Sequence, residues 1–213
     1  MPLPPSDPSR QFRHRRTLEV QAFERADGLW EIDARVTDVK GRSVFVGRGI
    51  HPAGEPVHDL MLRLVVDLNF NILQAGSESR SVPYPGHCEA HGDVYARLVG
   101  LNLMQGFRHA VRERVGGAQG CTHLTELATV LPTAVVQSMV GEVIHPVGDG
   151  DEKPFQLDRC HALVTTGEVV RLHYPRWFRQ PGANNLSQNL PPVNSPSSAG
   201  VPETAPAAPP LSS

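Results

Sequence analysis

Each of the three cysteines in this chain has a histidine next to it or two residues away, and this pairing is the feature most suggestive of chemistry. The three pairs are His87-Cys88, Cys121-Thr122-His123 and Cys160-His161. Cysteine thiolate and histidine imidazole are the ligands that bind zinc, copper or iron. The chain has no CxxC motif, so a metal site would have to be assembled from separate segments.

Cys121 is the strongest single candidate, because it stands between a glycine-rich break, "GGAQG", and a predicted helix. Unpaired N–H groups and the helix dipole favour a thiolate at such a position. Cys121 and His123 would lie about 200° apart around an ideal helix. Both can therefore reach one ion only if Cys121 lies just outside the helix.

Structural interpretations stand beside these functional ones. Free cysteine is among the most buried residue types, so Cys160, and Cys121 as well, can simply fill space in the core. His58 and Asp59 can belong to an ion pair with Arg63 instead of a metal site.

The elements that must position these residues begin with two predicted β-hairpins. "TLEVQAFERADGLWEIDARVTDVKG" contains Asp27-Gly28, a strong two-residue turn signal. Its second strand alternates, with Trp30, Ile32, Ala34 and Val36 on one face. The stretch "VHDLMLRLVVDLNFNILQAGSE" predicts a second hairpin that turns near residues 68–70. His58 shares the parity of Leu60, which points its ring toward the core, whereas Asp59 points the other way.

Helical patterns follow the hairpins. The pattern of residues 94–115 predicts a helix, although Gly100 and Gly106 within it disfavour helical structure. The stretch "THLTELATVLPTAVVQSMVGE" is the better helix, which Pro132 should kink or split. "EVVRLHY" resembles a strand. Strands followed by helices predict an α+β fold, with an antiparallel sheet of about four strands and helices packed on one face.

Composition sets the predicted boundaries. Residues 1–11 and 180–213 are rich in proline and small or polar residues, so we expect both to be disordered, flanking one α+β domain at 12–179. The net charge of −2 and the lack of a long apolar run or signal pattern predict a cytoplasmic protein that does not bind membranes. The basic cluster at 10–16 is expected to be a solvated lead-in, so nucleic acid is an unlikely partner and a protein partner stays open.

Most of the predicted domain resembles a bacterial family of unknown function, DUF2889. Its matching stretches are "DGLWEIDARVTDVK" (27–40), "PAGEPVHDLMLRLVVD" (52–67), "LVGLNLMQGFR" (98–108), "GCTHLTEL" (120–127), "CHAL" (160–163) and "YPRW" (174–177). This resemblance implies no established activity.

A fainter resemblance is to iron–sulfur cluster scaffold proteins. Asp59 matches the aspartate of their Cys-Gly-Asp loop, Cys88 matches the second ligand cysteine, and "CTHL" is similar to their Cys-Ser-x-Leu helix start. Val57 stands at the position of the first scaffold cysteine. The resemblance implies a scaffold-like fold with a site built from His58, Cys88 and Cys121.

Three hypotheses follow for the function. The first is a metal or thiolate site that uses zinc or iron, with candidate residues His58, Asp59, Cys88, Cys121 and His123. The second is a non-catalytic interaction module that uses the polar sheet face, namely Glu31, Asp33, Arg35, Asp59, Arg63 and Asp67. The third is a metal-free enzyme in which Cys121 is the nucleophile and His58 or His123 is the base. The sequence does not decide whether the protein is an enzyme.

Overall fold

Two long hairpins build the main sheet. Strands β1 (His14–Glu24) and β2 (Trp30–Lys40) are antiparallel and join at a turn in which Gly28 has a φ of 77°. Strands β5 (Pro56–Val66) and β6 (Ile72–Ser81) form the second hairpin. The strand order is β1-β2-β5-β6 with antiparallel neighbours throughout, which confirms the predicted four-stranded sheet.

The structure is a computed structural model that describes residues 2–47, 49–144 and 150–180. The chain divides between Pro146 and Val147 into two compact units, each of which is described by itself. The single domain predicted at 12–179 stays a prediction. Nearly all of the tail predicted to be disordered, 181–213, lies outside the described residues.

The glycine-rich connection between β2 and β5 contains a small hairpin of its own. Strands β3 (Val44–Val46) and β4 (Gly49–His51) pair as a separate two-stranded sheet. The sequence predicted only a connection here, because each strand is too short to produce a recognisable alternation.

The two faces of the main sheet differ in polarity. The alternating apolar residues of β2 are buried on the inner face and belong to the core. The outer face carries two Arg–carboxylate pairs, Arg63 with Asp33 at 2.6 Å and Arg35 with Asp59 at 2.7 Å. One face of the sheet is therefore apolar and the other charged, as the alternation in the sequence predicted.

The first predicted helical segment is only partly helical. Val94–Leu98 forms a short 3-10 helix, and α1 begins only at Phe107 and ends at Val115. Gly100 and Gly106 between them have φ values of 83° and 60°, which belong to the left-handed region and interrupt a right-handed helix. The prediction of a continuous helix over 94–115 was wrong for this reason.

Helix α2 (Thr122–Met139) covers the inner face of the sheet, and its prediction is confirmed. Pro132 lies inside this helix, which continues through it and is not split. The helix packs against β2, β5 and α1. Its buried residues have the predicted helical spacing: Leu124, Leu127, Ala128, Leu131 and Val135.

The described part of the second unit contains one short α-helix, α3 (Glu168–His173), where the sequence predicted a strand. That prediction was wrong. Val170 is fully buried while Val169 is 39% exposed, and Glu168 accepts a hydrogen bond from Arg171 Nε at 2.7 Å. A salt bridge between residues three apart is a helical contact, which a strand could not make on one face.

None of the helices in the described ranges combines the length and the apolar character needed to cross a bilayer.

Candidate metal centre

Three metal-ligand side chains converge at the end of the sheet where α2 begins. They are Asp38 from the end of β2, His58 from the start of β5 and His123 from the first turn of α2. Within the described residues, they form the one group of three or more such side chains whose ligand atoms all lie within 4.8 Å of one another. We call this group the Asp38 triad.

Strand register brings two of these residues together. Asp38 and His58 are direct partners across the antiparallel β2–β5 ladder. Asp38 continues the inward-facing alternation of β2 and is only 3% exposed. The register shifts directly after Asp38, and such bulges are common next to functional sites because they redirect side chains.

The start of α2 is held in place by Tyr95. The Tyr95 hydroxyl donates to the Cys121 carbonyl at 2.8 Å and accepts from the Cys121 N–H at 3.0 Å. Gly120 allows this close approach, because a Cβ there would lie 3.0 Å from the Tyr95 hydroxyl oxygen and 2.6 Å from the Val115 carbonyl oxygen. Cys121 itself is the extended N-cap residue, with a φ of −83° and a ψ of 127°. Because these contacts hold the N-cap of α2 in place, His123 in its first turn lies over the end of the sheet.

The distances within the triad suit one ion. Asp38 Oδ2 lies 3.1 Å from His58 Nδ1 and 3.9 Å from His123 Nε2. The two imidazole rings have centroids 4.0 Å apart and are tilted by 34°. Ligand atoms around a tetrahedral ion with bonds of about 2.0–2.1 Å are themselves about 3.3 Å apart. Small adjustments of the side chains would therefore place all three atoms around a single metal.

Asp38 is negatively charged at neutral pH although it is buried. Burial alone opposes ionisation, but hydrogen bonds from Arg16 and His14 outweigh it and lower the pKa of Asp38 to about 2. Arg16 Nε and His14 Nε2 both contact Oδ1, at 2.9 and 2.8 Å. A second Arg16 nitrogen donates to Oδ2 at 2.9 Å.

The two triad histidines favour the neutral form. Burial lowers the pKa of His58, and the neighbouring His123 lowers it further. Burial also lowers the pKa of His123, with a smaller contribution in the same direction from Arg16. The Asp38 carboxylate opposes both shifts without reversing them. Neutral imidazole is the form that binds metal ions.

Two of the residues predicted from the sequence, His58 and His123, lie in the triad. The Cys121 Sγ lies 3.7 Å from His123 Nδ1, the ring nitrogen that does not face Asp38. Cys121 therefore contacts a triad member but is not in the triad.

The other two predicted residues lie elsewhere. Asp59 points to the outer face of the sheet, where both of its carboxylate oxygens accept hydrogen bonds from Arg35 at 2.7 Å. Cys88 begins a 3-10 helix, Cys88–His91, and contributes no atom to the triad.

Sequence reasoning missed Asp38, together with the roles of Arg16 and His14. A signal for Asp38 was present, because the inward alternation of β2 reaches it two residues after Val36. Arg16 faces Asp38 in the β1–β2 register, which follows once the hairpin turn at Gly28 is known. Both basic residues belong to the cluster at 10–16, for which composition predicts only a solvated lead-in to the first strand.

The fold and the site together define an α+β domain with a His/Asp cluster where a helix meets the end of an antiparallel sheet. A family model described as "Protein of unknown function (DUF2889)" matches residues 14–137, and the chain belongs to this family. The match begins at the first residue of β1 and includes every residue of the triad. No curated protein and no solved structure matches the chain. The resemblance to iron–sulfur scaffold proteins stays a prediction.

Proposed function

We propose that the protein is a metal-binding domain in which Asp38, His58 and His123 bind one divalent transition-metal ion. The observation that carries this proposal is the convergence of three ligand atoms from three separate elements. It is supported by the chemical state of the residues, because the carboxylate is ionised and both imidazoles favour the neutral form.

The ligand set favours zinc or iron. Two imidazole nitrogens and one carboxylate oxygen are typical of zinc and of non-haem iron(II) sites. Calcium and magnesium prefer sites built from oxygen ligands alone.

A site of this kind leaves room for a reactive water. Structural zinc sites normally have four protein ligands, whereas catalytic sites have three and keep a position for water or substrate. The side chains of His58 and His123 are 17% and 26% exposed, so solvent reaches this end of the sheet. A metal ion held by these three residues would supply a bound water as a nucleophile.

Metal analysis tests the proposal. The protein is purified without chelator, reloaded anaerobically with Zn²⁺ or Fe²⁺, and analysed by mass spectrometry for bound metal. We expect one metal ion per chain in the wild type and a loss of binding in His123→Gln and Asp38→Asn. His109→Gln is the matched control, because His109 is 80% exposed on α1. Metal content far below one equivalent in the wild type, or full content in His123→Gln, would contradict the proposal.

A cysteine-dependent enzyme is the second candidate, and a specific geometry favours it. Cys121 Sγ is 3.7 Å from His123 Nδ1, and His123 Nε2 is 3.9 Å from Asp38. A thiol, a base and an orienting carboxylate in this order are the components of a nucleophilic triad.

Alkylation separates the two candidates. In the metal-free protein, the second candidate predicts that iodoacetamide modifies Cys121 faster than Cys160, although Cys160 is the more exposed thiol. The metal proposal instead predicts that Cys121→Ser keeps its metal.

The third hypothesis, an interaction module, is the least favoured. The charges of the outer sheet face pair with one another, as in Arg63–Asp33 and Arg35–Asp59.

We also propose a cytoplasmic location, because the three cysteines are free thiols and reduced thiols persist in reducing compartments. Cell fractionation tests the location.

A further inference from the structure

Arg16 connects two elements that carry ligands of the proposed metal site. Two of its nitrogens donate to the Asp38 carboxylate on β2. Its remaining nitrogen donates to Glu126 Oε2 at 2.7 Å. Glu126 lies three residues after His123 on α2, so it shares the side of the helix that holds the histidine. One guanidinium thus bridges the carboxylate ligand and the helix that presents His123.

The same contacts leave one carboxylate oxygen for the metal. Asp38 Oδ1 already accepts hydrogen bonds from His14 Nε2 and Arg16 Nε. Oδ2 accepts only one of these hydrogen bonds, from a second Arg16 nitrogen at 2.9 Å, and it is the oxygen that faces His58 and His123. The carboxylate is therefore oriented to bind through Oδ2 alone.

We propose that Arg16 is a positioning residue of the metal centre, which fixes the spacing between Asp38 and His123 and presents a single Asp38 oxygen. This inference rests on the proposed metal-binding function. Residues that orient a ligand from outside the coordination shell typically change metal affinity by about 10- to 100-fold when they are replaced.

Electrostatics and positioning predict opposite effects for the loss of Arg16. A cation beside a divalent ion repels it, so removal of the charge alone would strengthen metal binding. Loss of the bridge would weaken binding, because Asp38 and His123 would no longer be held at the required spacing. A weaker affinity in Arg16→Gln can therefore not be explained by the lost charge.

The experiment measures Zn²⁺ affinity by competition with a chromophoric chelator in the full chain. We expect Arg16→Gln to bind about 10- to 100-fold more weakly than the wild type. Arg16→Lys keeps the positive charge but lacks the planar guanidinium group, so its Zn²⁺ affinity should also be lower than that of the wild type. Arg63→Gln is the matched control, because Arg63 makes the same two-pronged contact with Asp33 on the outer face.

Glu126→Gln removes the charge of the residue on α2 that pairs with Arg16, and it leaves the contact between Arg16 and Asp38 in place. Glu126 is 52% exposed, so this variant should fold even if Arg16→Gln does not. The visible absorption of bound Co²⁺ is the second measurement, since it reports coordination geometry. Loss of one negative charge would weaken binding without moving the Co²⁺ bands, whereas loss of positioning should shift them.

The outcomes are distinct. Weaker binding in Arg16→Gln, together with shifted Co²⁺ bands in Glu126→Gln, supports the positioning role. Unchanged or tighter binding in Arg16→Gln, or unshifted bands in Glu126→Gln, overturns it while the metal proposal stands. If the wild type binds no metal, both the proposed function and this inference fail.

Discussion

At the scale of single residues, Asp38 is the most informative side chain of the protein. It is buried, it stays ionised, and it accepts hydrogen bonds from His14 and Arg16 while it faces two histidines whose pKa values burial lowers. Buried charges need partners because desolvation of an unpaired carboxylate is costly. The structure provides such partners at both carboxylate oxygens, and Oδ2 also faces the two imidazoles.

Asp38 should contribute to the acid sensitivity of the metal-free protein. Its folded pKa of about 2 lies below the ordinary value of 3.8, so ionised Asp38 stabilises the fold above that ordinary value. This contribution is lost as the pH falls from 3.8 toward 2. We expect Asp38→Asn to lose less stability than the wild type between about pH 5 and about pH 2.5.

Urea unfolding at several pH values measures this difference. Asp33→Asn is the control, because Asp33 also pairs with an arginine through both carboxylate oxygens but lies on the outer face. Parallel acid profiles for the wild type and Asp38→Asn would contradict the prediction.

At the scale of elements, helix α2 was predictable from the sequence, but the contact that fixes its first residues was not. Its apolar spacing and the preceding glycines predicted a helix that begins at Thr122 or His123, and the helix begins at Thr122. The contact with Tyr95 could not be predicted, because Tyr95 is 26 residues away in a segment expected to be part of a continuous helix. Gly100 and Gly106 have left-handed backbone conformations that interrupt a helix, so the segment that contains Tyr95 can contact the N-cap of α2.

The Tyr95 hydroxyl should therefore matter for stability. Tyr95→Phe would leave the Cys121 N–H without its hydroxyl partner in a part-buried position, whereas the Cys121 carbonyl would keep its hydrogen bond from the Thr125 N–H at 2.9 Å. We expect a loss of about 1–3 kcal/mol in the free energy of unfolding, the usual effect of an unsatisfied buried polar group. Denaturant unfolding measures it, with Tyr84→Phe as the control, because Tyr84 is 55% exposed. Equal stabilities of the two variants would contradict the role of the hydroxyl.

At the scale of the whole molecule, the core and the candidate site both belong to the first unit. All members of the buried hydrophobic cluster lie between Trp30 and Met139. The Asp38 triad and its hydrogen-bonding neighbours lie within residues 14–126. The first unit thus has its own core, which is what independent folding requires.

We expect the first unit, residues 1–146, to fold on its own when it is produced without the remainder of the chain. Its thermal unfolding, followed by circular dichroism, should be cooperative, because the buried cluster is retained complete. It should also bind Zn²⁺ with the affinity of the full chain, if the metal proposal holds. A non-cooperative transition would show that residues after 146 are needed for the fold.

The two hairpins, the helix that covers them, the α+β class and the family were all predictable from the amino-acid sequence. These features depend on local signals, namely a two-residue period, a turn glycine and a helical spacing of apolar residues. His58 and His123 were also predicted as site residues, His123 because it stands two residues from Cys121 and His58 because the resemblance to scaffold proteins implied it.

The contacts between the polar residues of the site became apparent in the tertiary structure alone. Asp38 looks like an ordinary residue near the end of a strand until the β2–β5 register sets it opposite His58. Arg16 looks like part of a basic lead-in until the β1–β2 register and the start of α2 place it between two carboxylates. The register of β1 with β2 follows from the local turn at Gly28. The pairing of β2 with β5 and the docking of α2 are long-range events, so no local pattern in the chain specifies them. The candidate site therefore arises from packing, although each of its residues was visible in the sequence.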